Sequence, residues 1–519
     1  MTLRFRTVII MALWASLAAI SCSKSASVNV NSRELESLCR DLPFEMKAPC
    51  LPCIPSRTLN LLDCGAVGDG ITLNTEVFHG AIEELAAKGG GHLIVPGGIW
   101  RTGPVELKSC IDLHLEDNAV ILFDPDFSLY PVVEVSFEGL DTRRCTSPVS
   151  ARGAHDIAIT GRGVIDGSGD AWRPLKKSKV TSAQWKQKVA SGGVLNEKGD
   201  CWYPDEAYIE AERSADMNVP TGNLTDAEWN AMKSFLRPVM ISLVDCERVL
   251  LEGPTFQNSP AWNIHPLLCK DLVVNNITVR NPSWSQNGDG IDIESCTGTV
   301  LMNSSFDCGD DGICIKSGKD ADGRRRGIPC KDLVVENCVV YHGHGGFVVG
   351  SEMSGGVENV MVRGCRFLGT DVGLRFKSKR GRGGVVRDIW IEDINMTDIK
   401  TEALLFDLFY GGKSAVEALE DGDSQENGVF VPVPDETTPE FRDIHIRNIV
   451  CNGARRAMYF NGLPEKRVSG IGIDGCIISA DRGIEISYSE NVRIENAVIK
   501  TPEGVEPVKV TNSENVVVK

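Results

Sequence analysis

The sequence reads KDLVVNNITV at residues 270–279, KDLVVENCVV at 331–340 and ENVRIENAVI at 490–499. In each stretch a polar pair precedes alternating apolar residues, and a second polar or small pair precedes further apolar residues. Copies recur at steps of about 21 to 33 residues, with one gap of about two steps, a spacing typical of solenoids and repeat arrays. Counted from the second residue of each copy, the theme begins near positions 248, 271, 299, 332, 359, 388, 443, 470, 491 and 515.

The repeat unit is built from strands. Each copy alternates with period two, is rich in Val and Ile and is bounded by Gly, Asn or Asp, which together indicate short strands rather than helices. A strand-only repeat of this length predicts an all-β fold, the parallel β-helix. Leucine-rich repeats would show Leu at fixed spacing with a helical return, and propeller blades need longer, more regular units.

Four polar motifs lie on successive repeats of this pattern. They are Asn287-Gly288-Asp289, Gly309-Asp310-Asp311, Gly343-His344-Gly345 and Arg375-Phe376-Lys377. Residues one repeat apart in a β-helix stack at roughly 4.8 Å, so we expect the three aspartates to be near neighbours, with the histidine and the basic pair on the next two coils. Strand alternation predicts that Arg375 and Lys377 share one face while Phe376 points inward.

This combination of groups suits acid/base hydrolysis of an acidic sugar polymer. Glycoside hydrolysis commonly uses two carboxyl groups, one to protonate the leaving oxygen and one on the other side of the ring. Clustered aspartates raise one another's proton affinity, which can keep one of them protonated near neutral pH. Arg and Lys beside them would pair with a substrate carboxylate, which favours a uronic acid over a neutral sugar. We expect no cofactor and no metal.

The four motifs resemble those of the pectin-cleaving polygalacturonases of glycoside hydrolase family 28. That family carries Asn-Thr-Asp, Gly-x-Asp-Asp, Gly-His-Gly and Arg-Ile-Lys in this order on a right-handed parallel β-helix. This sequence has Gly288 in place of Thr and Phe376 in place of Ile, both at non-catalytic motif positions. The resemblance extends from about Leu59 to the C-terminus. It implies a pectin lyase-like solenoid that hydrolyses α-1,4-galacturonosidic bonds in the acidic plant cell-wall polysaccharide pectin, or polygalacturonate.

The resemblance also implies a role for each site residue. Asp310 would be the general acid, Asp289 and Asp311 would activate the water, and His344 would support the acid or the substrate. The family inverts the anomeric configuration, which calls for carboxyl groups about 6.5 to 9.5 Å apart. Asp292 and Tyr410 match the family less distinctively, and each could instead only brace the coil. The residues expected to bind substrate are Arg375, Lys377, Asp292 and Tyr410.

Other functions stay open at this stage. The substrate could be rhamnogalacturonan or a decorated pectin rather than polygalacturonate. A pectate lyase shares the β-helix but would need calcium held by aspartates and a basic residue to abstract a proton, and the histidine with the ordered motifs fits hydrolysis better. A noncatalytic β-helix that only adheres to polysaccharide is a third interpretation.

The N-terminus predicts export. Residues 1–21 combine a basic start with an apolar run over residues 8–20, which is typical of an export signal. Small residues before Cys22 and polar residues after it favour a lipoprotein site, with lipid on Cys22 and attachment to the outer membrane from the periplasm or the outside. The alternative is cleavage a few residues later and secretion. Residues 22–56 are predicted to form a tether.

The cysteines fall into two groups. Cys39, Cys50 and Cys53 lie in the predicted tether, where they could bind metal, but export to an oxidising space favours a disulfide. Most others occupy one slot of the repeat and should stack in the core as small apolar side chains. Examples are Cys338, Cys365 and Cys476.

Residues 57–519 are predicted to form a single catalytic domain. Helical spacing over Thr75–Ala87 predicts a cap over the first coil, whose open strand edge would otherwise invite aggregation. Residues 169–236 interrupt the strand theme and predict a helix-containing insertion with four of the nine tryptophans. These rings could stack on sugars, or they could pack the insertion against the coils. If the insertion closes one end of the cleft, the enzyme would attack chain ends.

Net charge limits the partners. The chain has 519 residues and a formal charge of −17, which argues against nucleic acid. An acidic polymer would also be repelled unless the cleft is locally positive. We expect a monomer. The basic residues that could supply a positive cleft are Lys316, Lys319, Arg324 to Arg326, Lys377, Lys379, Arg380 and Arg382.

Overall fold

The computed structural model describes residues 30–411 and 431–519. Cys22, the predicted export signal and the first residues of the predicted tether lie outside the described residues. Strands wind into one parallel β-helix, and each coil contributes strands to three parallel sheets, named A, B and C here. Parallel crossovers of this kind are right-handed in nearly all proteins. The predicted all-β, right-handed parallel β-helix is confirmed.

Sheet A contains Thr58–Asn60, Gly91–Val95, Ile111–Leu115, His155–Gly161, Glu247–Glu252, Lys270–Asn275, Thr297–Met302, Cys330–Glu336, Val357–Arg363 and Glu514–Val518. Sheet B contains Gly98–Thr102, Ala119–Phe123, Val164–Asp166, Thr255–Gln257, Thr278–Arg280, Ser305–Cys308, Val339–His342 and Arg366–Leu368. Sheet C contains Val105–Glu106, Val149–Arg152, Ile241–Val244, Ile264–Leu267, Ile291–Glu294, Asp311–Lys316, Gly345–Val349, Leu374–Lys377, Glu402–Asp407 and Val508–Thr511. Long bent strands run through two or three sheets: Val385–Thr397, Glu440–Asn461, Val468–Ser487 and Ser489–Lys500.

The polar pairs of the sequence repeat mark the corners of the coils. Asp271 and Asp332 enter sheet A with φ of 54° and 55°, and Asn276 and Asn337 leave it toward sheet B with φ of 53° and 51°. Among residues with a side chain, Asn and Asp adopt this left-handed conformation most readily because a short polar chain can hydrogen-bond locally. The recurring Asp and Asn therefore bend the chain at fixed intervals, which sets the coil length.

The interior is filled by ladders of like side chains. Cys338, Cys365 and Cys476 are buried in the core, as predicted. Phe376 also points inward as predicted, and its ring stacks 4.8 Å from that of Phe406 on the next coil. Such stacking fixes the register between coils, because a shift by one residue would move every buried side chain to the outside.

The N-terminal segment is part of the folded body from residue 30 onward. Helix α1 (Ser32–Arg40) starts at Asn31, whose side chain accepts the Glu34 N–H. Leu35 and Cys39 of this helix pack against the outer face of sheet A. The outward apolar side chains that they cover are Val273, Val300, Val334 and Met361. The described part of the predicted tether, residues 30–56, is therefore corrected to a packed segment.

The predicted disulfide in this segment is also corrected. Cys39, Cys50 and Cys53 are free thiols. Cys39 is buried on sheet A, whereas the two others are exposed, and the Cys53 N–H donates to Asp156 at 2.8 Å. The buried Cys39 and the exposed Cys50 and Cys53 therefore lie in different environments.

Helix α2 (Thr75–Ala87) covers the first coil, as predicted. Phe78, Ala81, Ile82 and Leu85 are buried at the spacing that places them on one helix face. Across residues 30–411 and 431–519, no helix has the length and apolar character needed to cross a membrane.

The insertion folds around its own core. It contains helices α3 (Ser182–Ala190), α4 (Glu206–Ser214) and α5 (Asp226–Ala231), and the short strands Leu175–Lys176, Val194–Leu195, Cys201–Tyr203, Ala215–Asp216 and Val219–Pro220. A hairpin of Val132–Phe137 and Leu140–Cys145 precedes it, and helix α6 (Asp320–Arg326) lies later in the chain. The tryptophans of the insertion are all buried, so they pack its core rather than offer faces to sugars: Trp172, Trp185, Trp202 and Trp229.

Candidate active site

The four motifs meet on the outer face of sheet C. The strands Ile291–Glu294, Asp311–Lys316, Gly345–Val349 and Leu374–Lys377 are consecutive neighbours. Every residue of the first three is buried, since both faces of the sheet are covered here. The hairpin before the insertion borders this face, where Phe137 lies 4.9 Å from the Trp262 ring.

The three motif aspartates form one cluster. A carboxylate oxygen of each of Asp289, Asp310 and Asp311 lies within 4.8 Å of those of the others. This is closer than the expected separation of about 6.5 to 9.5 Å, because Asp310 and Asp311 are consecutive in the chain and Asp289 lies on the neighbouring coil. Asp289 and Asp311 are buried, whereas the Asp310 side chain keeps 23% of its surface exposed. Asp310 is thus the member of the cluster that a bound molecule can reach.

Asp311 is held in the ionised form. Its carboxylate accepts from Lys377 Nζ at 2.7 Å and from Arg375 at 3.3 Å. Burial works to raise the pKa of Asp311, but Lys377, Arg375 and Lys316 outweigh burial and hold the pKa below its usual range. Asp311 is therefore ionised at neutral pH and is available as a proton acceptor.

The basic pair therefore has a partner inside the protein. Lys377 is buried and fixed on Asp311, whereas Arg375 is partly exposed and also donates to the His344 carbonyl at 3.3 Å. The Tyr410 ring lies 5.0 Å from the Lys377 ammonium and 5.7 Å from the Arg375 guanidinium. The structure brings three of the four predicted substrate-binding residues together, Arg375, Lys377 and Tyr410, and Arg375 has better access to solvent than Lys377.

Asp289 and Asp292 have the opposite environment to Asp311. Burial raises the pKa of Asp289, with Asp292 and Asp310 adding to the effect. Burial also raises the pKa of Asp292 to about 8, although Lys316 at 3.4 Å opposes it. Asp292 is fully buried, so the geometry fits the bracing role that the sequence left open rather than direct contact with substrate.

His344 lies beside the accessible aspartate. Its Nδ1 is 3.1 Å from Asp310 Oδ1, and its Nε2 is 3.8 Å from Asp371. The hydrogen bond to Asp310 raises the pKa of His344, while partial burial opposes the shift. The Asp311 N–H donates to the same Asp310 oxygen at 3.0 Å. These contacts fix the orientation of the Asp310 carboxyl group.

A buried network beneath the cluster was not predicted from the repeats. Lys316 pairs with Glu352 at 2.9 Å and lies 4.4 Å from the Trp262 ring centroid. Burial works to raise the pKa of Glu352, but Lys316 and Arg382 outweigh it and lower the pKa to about 2. The sequence marked Lys316 only as one member of a basic cluster. Much of that cluster is paired internally, as in the contacts of Arg326 with Glu294 and of Arg380 with Glu465.

Arg237 connects the end of the insertion to the first motif. Its buried guanidinium donates to Asn287 Oδ1 at 2.8 Å and to the Gln286 carbonyl at 3.0 Å. A further bond reaches the Pro260 carbonyl at 3.0 Å. The insertion therefore holds the turn that presents Asp289. No periodic signal in the sequence identifies such a residue.

The glycine in place of the family threonine has a local cause. A Cβ atom at Gly288 would lie 1.8 Å from Ser285 Oγ, and one at Gly309 would lie 2.3 Å from the same oxygen. Real Cβ contacts are essentially never this close. Ser285 fills the space between the first two motifs, so a side chain at residue 288 has no room.

Two groups of the described residues could offer metal ligands, and in each of them a protein cation already bonds one carboxylate. In the aspartate cluster, Lys377 and Arg375 are bonded to Asp311. In the group Cys110, His155 and Asp156, Arg248 donates to both oxygens of Asp156 at 2.8 and 2.7 Å. A divalent ion would compete with these cations for the same oxygens, so neither donor set fits one well.

Comparison with known proteins agrees with this geometry. Residues 227–420 match the model of the glycosyl hydrolases family 28. A Vitis vinifera protein described as "Probable polygalacturonase" is 30% identical over 433 residues, which cover 82% of this chain and 74% of that protein. An exo-poly-alpha-D-galacturonosidase of Dickeya chrysanthemi is 26% identical over 423 residues, which cover 79% of this chain and 65% of that protein.

A solved structure extends the agreement over nearly the whole fold. The exopolygalacturonase of Thermotoga maritima superimposes with a TM-score of 0.70 at 33% sequence identity. The match covers 90% of this chain and 96% of that one. With the four motifs meeting on one face of the same solenoid, the chain belongs to glycosyl hydrolase family 28 and is a glycoside hydrolase.

Proposed function

We propose that the protein hydrolyses α-1,4-galacturonosidic bonds in polygalacturonate, the backbone of pectin, and that it releases sugars from chain ends. The observation that carries this proposal is the difference in exposure and in hydrogen-bond partners between two neighbouring aspartates. Asp310 is accessible and supported by His344, whereas Asp311 is buried and kept ionised by Lys377 and Arg375. The two residues supply the acid and the base that glycoside hydrolysis needs.

In this mechanism Asp310 protonates the leaving glycosidic oxygen. Asp311 accepts a proton from the attacking water, which adds to the anomeric carbon on the opposite face of the ring. The sequence resemblance gave Asp289 the same role as Asp311, but burial raises the pKa of Asp289. We therefore assign proton removal to Asp311 and assign Asp289 to orienting the water.

Substrate charge is matched by Arg375. Its guanidinium has donors beyond those bonded to Asp311 and His344 and is partly exposed. A guanidinium recognises a carboxylate through two parallel hydrogen bonds, which favours a uronate over a neutral sugar in the subsite. Tyr410 packs beside this cation and limits its orientation.

Attack from chain ends is supported by the named activities of two relatives and by the insertion. The Thermotoga maritima and Dickeya chrysanthemi proteins are both named for exo-acting cleavage. In this chain the insertion is bonded through Arg237 to the first motif, so it stands next to the cleft. Closing a cleft on one side would leave room only for a chain terminus.

The test is reducing-sugar release from polygalacturonate, with product sizes read by chromatography in the first few per cent of digestion. Galacturonate monomer or dimer is expected. An early ladder of longer oligomers would contradict the attack from chain ends. Release from rhamnogalacturonan or a decorated pectin but not from polygalacturonate would contradict the proposed substrate.

We further propose that the protein is exported as a monomer and attached to the outer membrane by lipid on Cys22. The apolar run before Cys22 supports this. Fatty-acid labelling of the cells should mark the parent protein, and Cys22→Ser should abolish the label and release the protein into a soluble fraction. An unlabelled parent would favour secretion without a lipid. Light scattering on the released protein should give the mass of one chain.

A further inference from the structure

A small pocket lies between helix α3 of the insertion and the loop that precedes Asn287. Its volume is about 240 Å³. Trp284 supplies one wall and keeps 37% of its surface exposed, and among the tryptophans that the structure describes it is the only one so exposed. The other lining residues used below are Asp170, Arg173, Gln184, Gln187, Lys188 and Ser285.

Two glutamine side chains line the pocket together with the Trp284 ring and have hydrogen-bonding groups to spare. Gln184 uses its side-chain Oε1 to cap helix α3. Within the described ranges, neither the Gln184 Nε2 nor the side-chain amide of Gln187 has a hydrogen-bond partner. An aromatic face with several free donors and acceptors at its edge suits a sugar ring, which has apolar C–H faces and hydroxyls around its rim.

The cations of the pocket are already engaged. Lys188 donates to the Asp170 carbonyl, and its Nζ lies 3.8 Å from the Trp202 ring centroid. Arg173 is buried and donates to Asp170 Oδ1 at 2.7 Å and to Asn258 Oδ1 at 2.8 Å. Because neither cation is free to pair with a second carboxylate, the pocket favours a neutral sugar over a uronate.

The pocket is next to the candidate active site along the chain and in space. Trp284 and Ser285 come directly before the first motif. Ser285 Oγ touches the backbone at Gly288 and Gly309, beside Asp289 and Asp310. The volume is below the roughly 300 Å³ at which pockets for drug-sized ligands begin, so it fits a single ring.

We propose that this pocket is an accessory subsite that binds one neutral monosaccharide branch carried by the galacturonan chain. The proposal rests on the proposed function, because the branch reaches the pocket only when a galacturonan backbone lies in the cleft. Trp284 would stack on the sugar ring, and Gln187 and Gln184 would bond its hydroxyls. The enzyme would then process branched galacturonan better than a cleft built for the bare backbone alone.

The experiment compares two substrates with the full enzyme: an oligogalacturonide and the same oligomer with one neutral aldopentose branch. The measured quantity is the ratio of kcat/KM for the branched oligomer to that for the plain one. Trp284→Ala should lower this ratio about two- to tenfold, from the usual size of an aromatic stacking interaction. Gln187→Ala, at an exposed helix position that tolerates substitution, should lower it by a similar factor. Lys186→Ala, exposed on the same helix but outside the pocket, is the matched control.

The outcomes separate the two proposals. No cleavage of either oligomer would overturn the proposed function, and this subsite with it. Cleavage of the plain oligomer with no cleavage of the branched one, or with a ratio unchanged in both variants, would overturn the subsite alone. A uronic acid branch processed faster than the neutral one would overturn the assignment to a neutral sugar.

Discussion

Replacing Lys377 by Met tests which partner this lysine serves. Lys377 Nζ lies 2.7 Å from Asp311 Oδ2, and both side chains are buried. Removing one partner of a buried ion pair costs about 3 to 5 kcal/mol, and the lower figure applies here because Arg375 remains at 3.3 Å. A loss of about 3 kcal/mol corresponds to a rise of about two units in the pKa of Asp311. The acid limb of kcat/KM against pH should therefore move upward by about two pH units.

The free energy of unfolding should also depend on the ionisation of Asp311. The pKa of Asp311 is lowered in the folded protein, so its contribution is present above the ordinary aspartate pKa and is lost as pH falls below about 4. The free energy of unfolding of Lys377→Met should thus be lower than that of the parent by about 3 kcal/mol at neutral pH, and the difference should shrink in acid. Denaturant titrations at several pH values measure this. Lys379→Met, two residues on and exposed, is the control. A raised KM with an unmoved acid limb would refute the reasoning and make Lys377 a substrate ligand.

Three further predictions follow from the site. Gly288→Thr should destabilise the protein by about 1 to 3 kcal/mol because its Cβ would meet Ser285 Oγ, and Ser285→Gly in the same chain should recover part of the loss in thermal unfolding; an additive double variant would contradict the shared space. Asp292 has its pKa raised to about 8, so its neutral form stabilises the fold fully below the ordinary aspartate pKa and this contribution is lost as pH rises through 8. The free energy of unfolding of Asp292→Asn should therefore rise relative to that of the parent between about pH 4 and 8. Parallel curves of unfolding free energy against pH would contradict a buried neutral carboxyl group at Asp292. Addition of a chelator should leave the initial rate on polygalacturonate unchanged and no product should absorb in the ultraviolet; loss of rate or an unsaturated product would support a calcium-dependent lyase.

The sequence predicts the coil and the order of the motifs because both depend on local chemistry. Asp and Asn at the corners carry the left-handed bends, as at Asp271 and Asn276, so their spacing reports the coil length directly. Once the coil length is known, strand register brings Asp289, Asp311 and His344 to one face. Helix α2 is predictable for the same reason, since the helical spacing of its apolar residues identifies its buried face.

The spacing of residues in the sequence does not predict which side chains will pair in the folded protein. The motifs predict that Lys377 lies near the aspartates, but the burial that commits it to Asp311 comes from the tertiary fold. The packed N-terminal segment left one signal: Val273 and Val334 are apolar at positions that would otherwise face water. Arg237 left none, because the insertion has no repeat against which an unusual residue stands out.

The most direct test of the central claim is the rate of Asp310→Asn on polygalacturonate. The matched control is Asp307→Asn, a half-exposed aspartate near the end of a neighbouring strand that pairs with His342. Loss of the general acid should lower kcat by about 10²- to 10⁴-fold while the control keeps the parent rate. Equal rates for Asp310→Asn and the parent would contradict the assignment of Asp310 as the acid and, with it, the proposed mechanism.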